Sequence, residues 1–200
     1  MKRLLLLILA LALSPRGYAD TAMDLLSKKL NAFTTMTANF EQSLVTEQDP
    51  NAQRLVGTMA LSRPGKFIWK TTYPNQQTLI ANGNYAWIYD EDLEQATKQK
   101  INTSSANSPA IFLTGNVTDV PKRFVVAQDD DVFTLTAKNK NDMFQKFTLT
   151  FRVNALHNMT VTTKLDQQSR FVFSNIKLNP TFPKNYFTFS PPKGVEIIEN

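Results

Sequence analysis

The stretch QKFTLTFRV, residues 145–153, sets Phe147, Leu149 and Phe151 two residues apart with polar side chains between them. Successive side chains of an extended chain point to opposite faces, so this spacing predicts a strand with one apolar face. The pattern continues in both directions. Met159, Val161, Thr163 and Leu165 are in phase, and 170–178 follows as a further strand. A proline-punctuated stretch then leads to an expected last strand carrying Phe187 and Phe189. Toward the N-terminus, 132–138 and 124–128 flank an Asp129-Asp130-Asp131 turn.

The first half repeats the theme. Met36, Ala38, Phe40 and Leu44 share one face, opposite Thr37, Asn39, Glu41 and Ser43. Asp49-Pro50-Asn51 is a turn; 54–63 alternates with Leu55, Gly57, Met59 and Leu61 in phase; Pro64-Gly65 turns into 66–72, with Phe67 and Trp69. Residues 76–81 form a strand, Asn82-Gly83 is a hairpin signal, and Tyr85, Trp87 and Tyr89 stand on one face of the next strand. Ala86 and Ile88 between them are apolar too, so that strand is expected to be buried on both faces. The polar stretch 91–100 is ambiguous. Strands about ten residues apart, with turn residues between them and no βαβ alternation, argue for an antiparallel sheet.

Helices are few. Met23, Leu26, Leu30 and Phe33 recur at helical spacing over 20–33, with Asp20 or Thr21 as cap. Ser108-Pro109 followed by Ala110, Ile111, Phe112 and Leu113, and ended by Gly115, predicts a short apolar helix with proline at its first turn. A sheet with one apolar face must keep water off it, by closing on itself or by a helical cover. A short helix over an apolar mouth is easily lifted, which suggests a site for a hydrophobic ligand; an ordinary packed core is the competing reading.

Composition narrows the chemistry. The 200 residues are 42% hydrophobic and 20% charged, in the globular range for about one domain. The absence of cysteine excludes disulfides, thiolate metal sites, cysteine nucleophiles and a lipidated N-terminal cysteine. One histidine, His157, excludes a multi-histidine metal centre within one chain; it falls at an expected exposed hairpin and no catalytic role is expected for it. The aspartates 129–131 lack the spacing of a calcium loop, and Lys28-Lys29 reads as a solvated helix face. No metal, cofactor or catalytic residue is expected.

Lys2 and Arg3, the apolar run Leu4–Leu13, and small residues Gly17 and Ala19 before Asp20 have the form of a secretory signal. Residues 1–19 are thus expected to be cleaved, leaving 20–200 as one domain. Losing Lys2, Arg3 and Arg16 drops the net charge from +5 to +2, so nucleic-acid binding is not expected.

Five motifs, in this order, resemble those of the LolA family, the periplasmic outer-membrane lipoprotein carriers of Gram-negative bacteria. They are Phe40-Glu41-Gln42; Arg63 and Pro64 with Phe67 and Trp69; the run 82–90 followed by Leu93-Glu94-Gln95-Ala96-Thr97; Ser108-Pro109 through Gly115; and Phe187-Thr188-Phe189-Ser190-Pro191-Pro192-Lys193-Gly194-Val195. Residues 120–180 match in strand pattern only.

The resemblance implies a mainly β, α+β fold: an incomplete, strongly curved antiparallel β-barrel whose concave apolar face is lidded by short helices. It implies a cavity for the acyl chains of triacylated lipoproteins, loaded from the inner-membrane ABC transporter LolCDE and unloaded to the outer-membrane receptor LolB. By the same resemblance Arg63 latches the lid through backbone carbonyls near 110–112, and the lid is Pro109, Ala110, Ile111, Phe112 and Leu113. Phe40, Met59, Leu61, Trp69, Leu79, Trp87, Tyr89, Phe147 and Leu149 are expected to line the cavity, and Phe67 to meet the transporter. One-to-one carriage implies a monomer.

Two other readings compete. A lipid-binding or stress-sensing periplasmic module of the same half-barrel would share these features. An exported lipid esterase would need a G-x-S-x-G elbow, which does not occur.

Overall fold

The computed structural model describes residues 21–45, 53–101 and 109–199. The expected signal segment 1–19, the turn at 49–51 and Ser108 lie outside them. A helix, α1 (Ala22–Asn31), opens the described chain, capped by Thr21 and Asp24, which bond reciprocally to each other's backbone. Six strands follow: β1 (Thr35–Val45), β2 (Gln53–Ser62), β3 (Lys66–Tyr73), β4 (Gln77–Asn82), β5 (Tyr85–Asp90) and β6 (Gln95–Lys100). Then come α2 (Pro109–Thr114), a 3-10 turn (Val117–Asp119), α3 (Val120–Arg123), β7 (Phe124–Asp129), β8 (Val132–Ala137), β9 (Phe144–Arg152), β10 (Ala155–Thr163), β11 (Gln168–Leu178) and β12 (Glu196–Glu199).

The twelve strands form one sheet in the order β12-β6-β5-β4-β3-β2-β1-β11-β10-β9-β8-β7. Its two outer strands, β12 and β7, do not pair with each other. The strongly curved barrel expected from the sequence is therefore not what forms: the sheet is open. It is not wholly antiparallel either, because β12 runs parallel to β6. The mainly β composition with few helices is as expected.

Three other expectations change. Phe187 and Phe189 lie in irregular chain, and the last strand is β12. The ambiguous polar stretch supplies β6, which pairs β5 over its whole length. In β5 only Ala86 is fully buried.

One core joins the two halves of the sheet to the helices. Leu26 and Leu30 of α1, Ala110 and Leu113 of α2, and Val120 of α3 pack with Phe40, Phe67, Phe133, Phe147, Phe171 and their neighbours from the strands. Eight of the fourteen phenylalanines are fully buried. The phase of QKFTLTFRV is retained: Phe147, Leu149 and Phe151 are buried and Lys146 and Arg152 are exposed. In a chain without cysteine this packing must supply the stability.

Two glycines are required by geometry. Gly65 holds φ +70 in the β2–β3 turn. Gly57 has no positive φ, but a Cβ there would lie 1.9 Å from the Lys70 carbonyl oxygen and 2.8 Å from the Phe40 ring. The glycine lets Phe40 lie across the β2 backbone. Gly57→Ala is expected to cost about 3 kcal/mol or more, the upper range of overpacking, and to lower Tm by roughly 6–12 °C. Calorimetric melting measures it; an unchanged Tm would show that β2 and β3 separate freely.

Candidate functional site

Arg63 lies between the end of β2 and the tight turn into β3. Its half-buried side chain reaches away from the turn to three backbone carbonyls. Nε donates to Leu113 O at 2.9 Å, and Nη1 donates to Phe33 O at 3.3 Å and to Leu30 O. The guanidinium also stacks 4.4 Å from the centre of the Phe33 ring. Leu113 is in the last turn of α2; Leu30 is in the last turn of α1, and Phe33 lies just beyond it. Helix ends leave carbonyls without intrahelical partners and carry partial negative charge, so one cation serves two C-termini. Burial pulls the Arg63 pKa down to about 10, which leaves it charged at neutral pH.

Backbone bonds reinforce the junction. Gly65 N donates to Thr114 O at 3.0 Å, and Arg63 N donates to Thr34 O at 2.9 Å. The carbonyl reached in α2 is thus that of Leu113, one residue beyond the stretch expected.

Lys29 forms a second tie. It was read as part of a solvated face, but its side chain is only 23% exposed. It donates to Asp131 Oδ1 at 3.2 Å and to Val153 O, and lies 5.9 Å from the centre of the Phe151 ring. Asp131 is therefore an anchor as well as a turn residue.

Within α2, Ala110 and Leu113 are buried, and Thr114 Oγ1 donates back to Ala110 O at 3.1 Å. Phe112 stacks on Phe147 at 4.3 Å and meets the edge of Phe124 at 5.9 Å. The side chain of Ile111 lies outside the described residues.

Beside α2 is a cavity of about 290 Å³. Its apolar wall is Trp69, Val161, Phe144 and Phe171, its roof Pro109 and Ala110, and its rim Gln42, Met143, Thr163 and Ser169. Trp69 lies 4.3 Å from Phe40 and meets Phe171 and Phe173 edge-on at 5.6 and 6.3 Å.

Of the nine residues expected as lining, only Trp69 lies at this cavity. Phe40, Met59, Leu61, Phe147 and Leu149 are buried in the core behind it, and Leu79 packs against that core. Trp87 and Tyr89 are on the other face. The register Trp69↔Leu79↔Ile88 puts Ile88 on the core-facing side, so its neighbours point away. There both rings pack against Phe189 at 5.4 Å. Phe67, expected at a docking surface, is 2% exposed between Leu61 and Ala81. In this conformation it offers no surface to a partner.

Gln42, Met143, Phe144, Val161, Thr163, Ser169 and Phe171 were missed. Val161 and Phe171 fall on alternating core-facing positions of their strands, a signal that was available. Gln42, Thr163 and Ser169 share that phase but are polar, and Met143 and Phe144 depend on which turns meet at one end of the sheet.

His157 is not in an exposed hairpin. It lies within β10 where the register with β9 shifts, and its buried Nδ1 has no hydrogen-bond partner. Among the described residues no group of three or more His, Cys, Asp or Glu side chains could hold a metal.

A cavity with apolar walls beside α2, whose end is tied down through a backbone carbonyl, has the chemistry to suit a hydrophobic ligand. The comparisons with known proteins say which. Residues 31–190 match the family model described as outer membrane lipoprotein carrier protein LolA. The outer-membrane lipoprotein carrier protein of Legionella pneumophila (strain Paris) is 37% identical over 199 residues, 98% of either chain. That of Pseudomonas aeruginosa (strain UCBPP-PA14) is 33% identical over 201 residues, 97% of either chain. In fold, the chain is similar to a LolA superfamily protein from Nitrosomonas europaea, with TM-score 0.51 at 14% identity, over 86% of this chain and 99% of that one.

The chain belongs to the LolA family of outer-membrane lipoprotein carriers. It is a periplasmic chaperone of lipoprotein transport, a carrier with lipoprotein cargo and transport partners.

Val161→Phe should fill the cavity from its wall. It is expected to weaken binding of a fluorescent fatty acid about tenfold, roughly 1.4 kcal/mol, with native near-UV circular dichroism retained. Equal affinity in a folded variant would place the ligand elsewhere.

Proposed function

We propose that the protein takes the acyl chains of triacylated lipoproteins from the inner-membrane transporter LolCDE and hands them to the outer-membrane receptor LolB. The observation that carries this reading is Arg63, which holds the ends of two helices at once beside an apolar cavity. Buried acyl chains are worth about 0.8 kcal/mol per methylene, so a triacylated anchor does not cross water unaided. A carrier must replace that burial and then give it up.

At about 290 Å³ the cavity is at the lower edge of small-ligand pockets. Three acyl chains therefore require α1 and α2 to move apart. Arg63 sets the cost of that movement. A charge-assisted hydrogen bond contributes about 1.5–3 kcal/mol, a bias of roughly ten- to hundredfold toward the closed form. When the latch re-forms it favours the empty state, and so drives unloading. Arginine suits the task because its fork of donors serves several carbonyls and stays charged. The lid is 109–113, the exported chain is 20–200 after cleavage of 1–19, and it works as a monomer.

The decisive measurement is release. Spheroplasts holding newly made lipoprotein are incubated with the purified exported protein, and cargo is expected in the soluble fraction at one per carrier. Release of loose phospholipid without lipoprotein would instead favour a general lipid-binding module. Arg63→Leu is expected to load cargo but to pass it to LolB at least tenfold more slowly. Transfer at the wild-type rate would remove the latch role.

A further inference from the structure

Two adjoining turns, one of which lends Met143 to the cavity lining, expose large apolar side chains. Leu165, at the tip of the β10–β11 turn, is 80% exposed, and Met143, at the end of the β8–β9 turn, is 51% exposed. The two turns are bonded together: Lys164 N donates to Met143 O at 2.8 Å, and Lys164 Nζ donates to Asn141 Oδ1 at 3.2 Å. Met143 is also part of the cavity rim, next to Phe144 and Thr163. Exposed to this degree, the two side chains add little to the core, and because the turns are bonded together they stand on one surface.

The charge around them is one-sided. Lys138, Lys140, Lys146, Lys164 and Arg170 are exposed on these turns and on the strands that enter them. The acids among them are Asp142 and Asp166, and Asp142 already faces Arg123 at 3.5 Å. The basic character is local to these two turns; farther along the same end of the sheet, the end of β5 and the turn after it carry Asp90, Glu91, Asp92 and Glu94.

We propose that the paired turns bearing Met143 and Leu165 are a docking surface for anionic phospholipid bilayers, which sets the cavity mouth against the membrane. Two apolar tips ringed by lysines match an interface of acyl chain beneath negative headgroups. They are too few for a stable protein–protein interface, which takes some 20–30 residues a side. Contact of this kind is weak, reversible and salt-sensitive, as a shuttle needs. An acyl chain leaving the bilayer then passes over Met143 and Phe144 into the cavity with little exposure to water. The inference rests on the carrier reading for its purpose, but the surface and its test stand apart from cargo.

Because the chain has no cysteine, Leu165→Cys carries a single environment-sensitive fluorophore. Asn84→Cys, in the exposed β4–β5 turn at the opposite end of the sheet, is the control. With vesicles of phosphatidylethanolamine and 30% phosphatidylglycerol at low salt, the label at 165 is expected to brighten at least twofold and shift blue, and the label at 84 to stay unchanged. In flotation, unlabelled protein should associate at least tenfold more with these vesicles than with neutral phosphatidylcholine. Leu165→Asp, and separately Lys140→Glu with Lys164→Glu, should each reduce association at least fivefold. All three positions are exposed, and thermal melting confirms folding.

No response at 165, equal response at 84, or equal association with neutral vesicles would overturn the proposal. So would binding only to LolB-bearing vesicles, which would make the surface a protein contact. None of these readouts contains lipoprotein cargo, so a negative result here leaves the release assay to decide the carrier reading by itself.

Discussion

The arrangement depends on one guanidinium that answers the unpaired carbonyls of two helices. α1 has ten residues and α2 only six, and helices this short are marginal without tertiary support. Each ends with acceptors that water would normally satisfy. Arg63 satisfies acceptors of both, Gly65 adds a bond to Thr114, and the Phe33 ring lies over the cation. The cost of burying that charge, visible in its lowered pKa, is offset by the number of oxygens it meets. Because the bonds run to backbone atoms, they depend on where the helices end and not on which side chains those helices carry.

The two faces of the sheet carry aromatic side chains for different reasons. On the core-facing side, Trp69, Phe40, Phe171 and Phe173 form an aromatic wall that continues from packed core to open cavity. On the opposite side, Trp87 and Tyr89 are covered by Phe189 from the segment that follows β11. The same strand pairs thus supply Leu79 and Ile88 to one layer and Trp87 and Tyr89 to the other. Aromatic content alone does not distinguish a ligand wall from the seat of a C-terminal strap.

The helices are held at points far apart on the sheet. Arg63 works where β2 turns into β3, while Lys29 binds Asp131 after β7 and Val153 after β9. These ties cross from one half of the sheet to the other, and the core between them is rich in phenylalanine. A cover fixed by a few polar bonds over an apolar surface opens at a cost set by those bonds, with the strand ladders left intact.

Much was legible in the alternation of residues. Period-two runs located β1 to β5 and β7 to β11, helical spacing located α1, and Pro109 with Gly115 bracketed α2. The five ordered motifs pointed to the family, and that resemblance pointed to Arg63 as a latch. What local pattern did not reveal was contact between distant segments. It made Phe67 a surface residue, set Trp87 in the cavity and treated Lys29 as solvated. It missed β6 and β12, whose polar or short sequences gain strand structure only from a neighbour. Whether a sheet closes depends on the accumulated twist and pairing of all its strands, and here both outer strands remain unpaired to each other. The amino-acid order by itself determined which residues alternate, where helices start and stop, and which family the chain joins, because these depend on neighbours a few positions apart. Only the tertiary structure decided which apolar residues border empty space and which carbonyls a cation reaches, because those depend on register summed across strands more than a hundred residues apart.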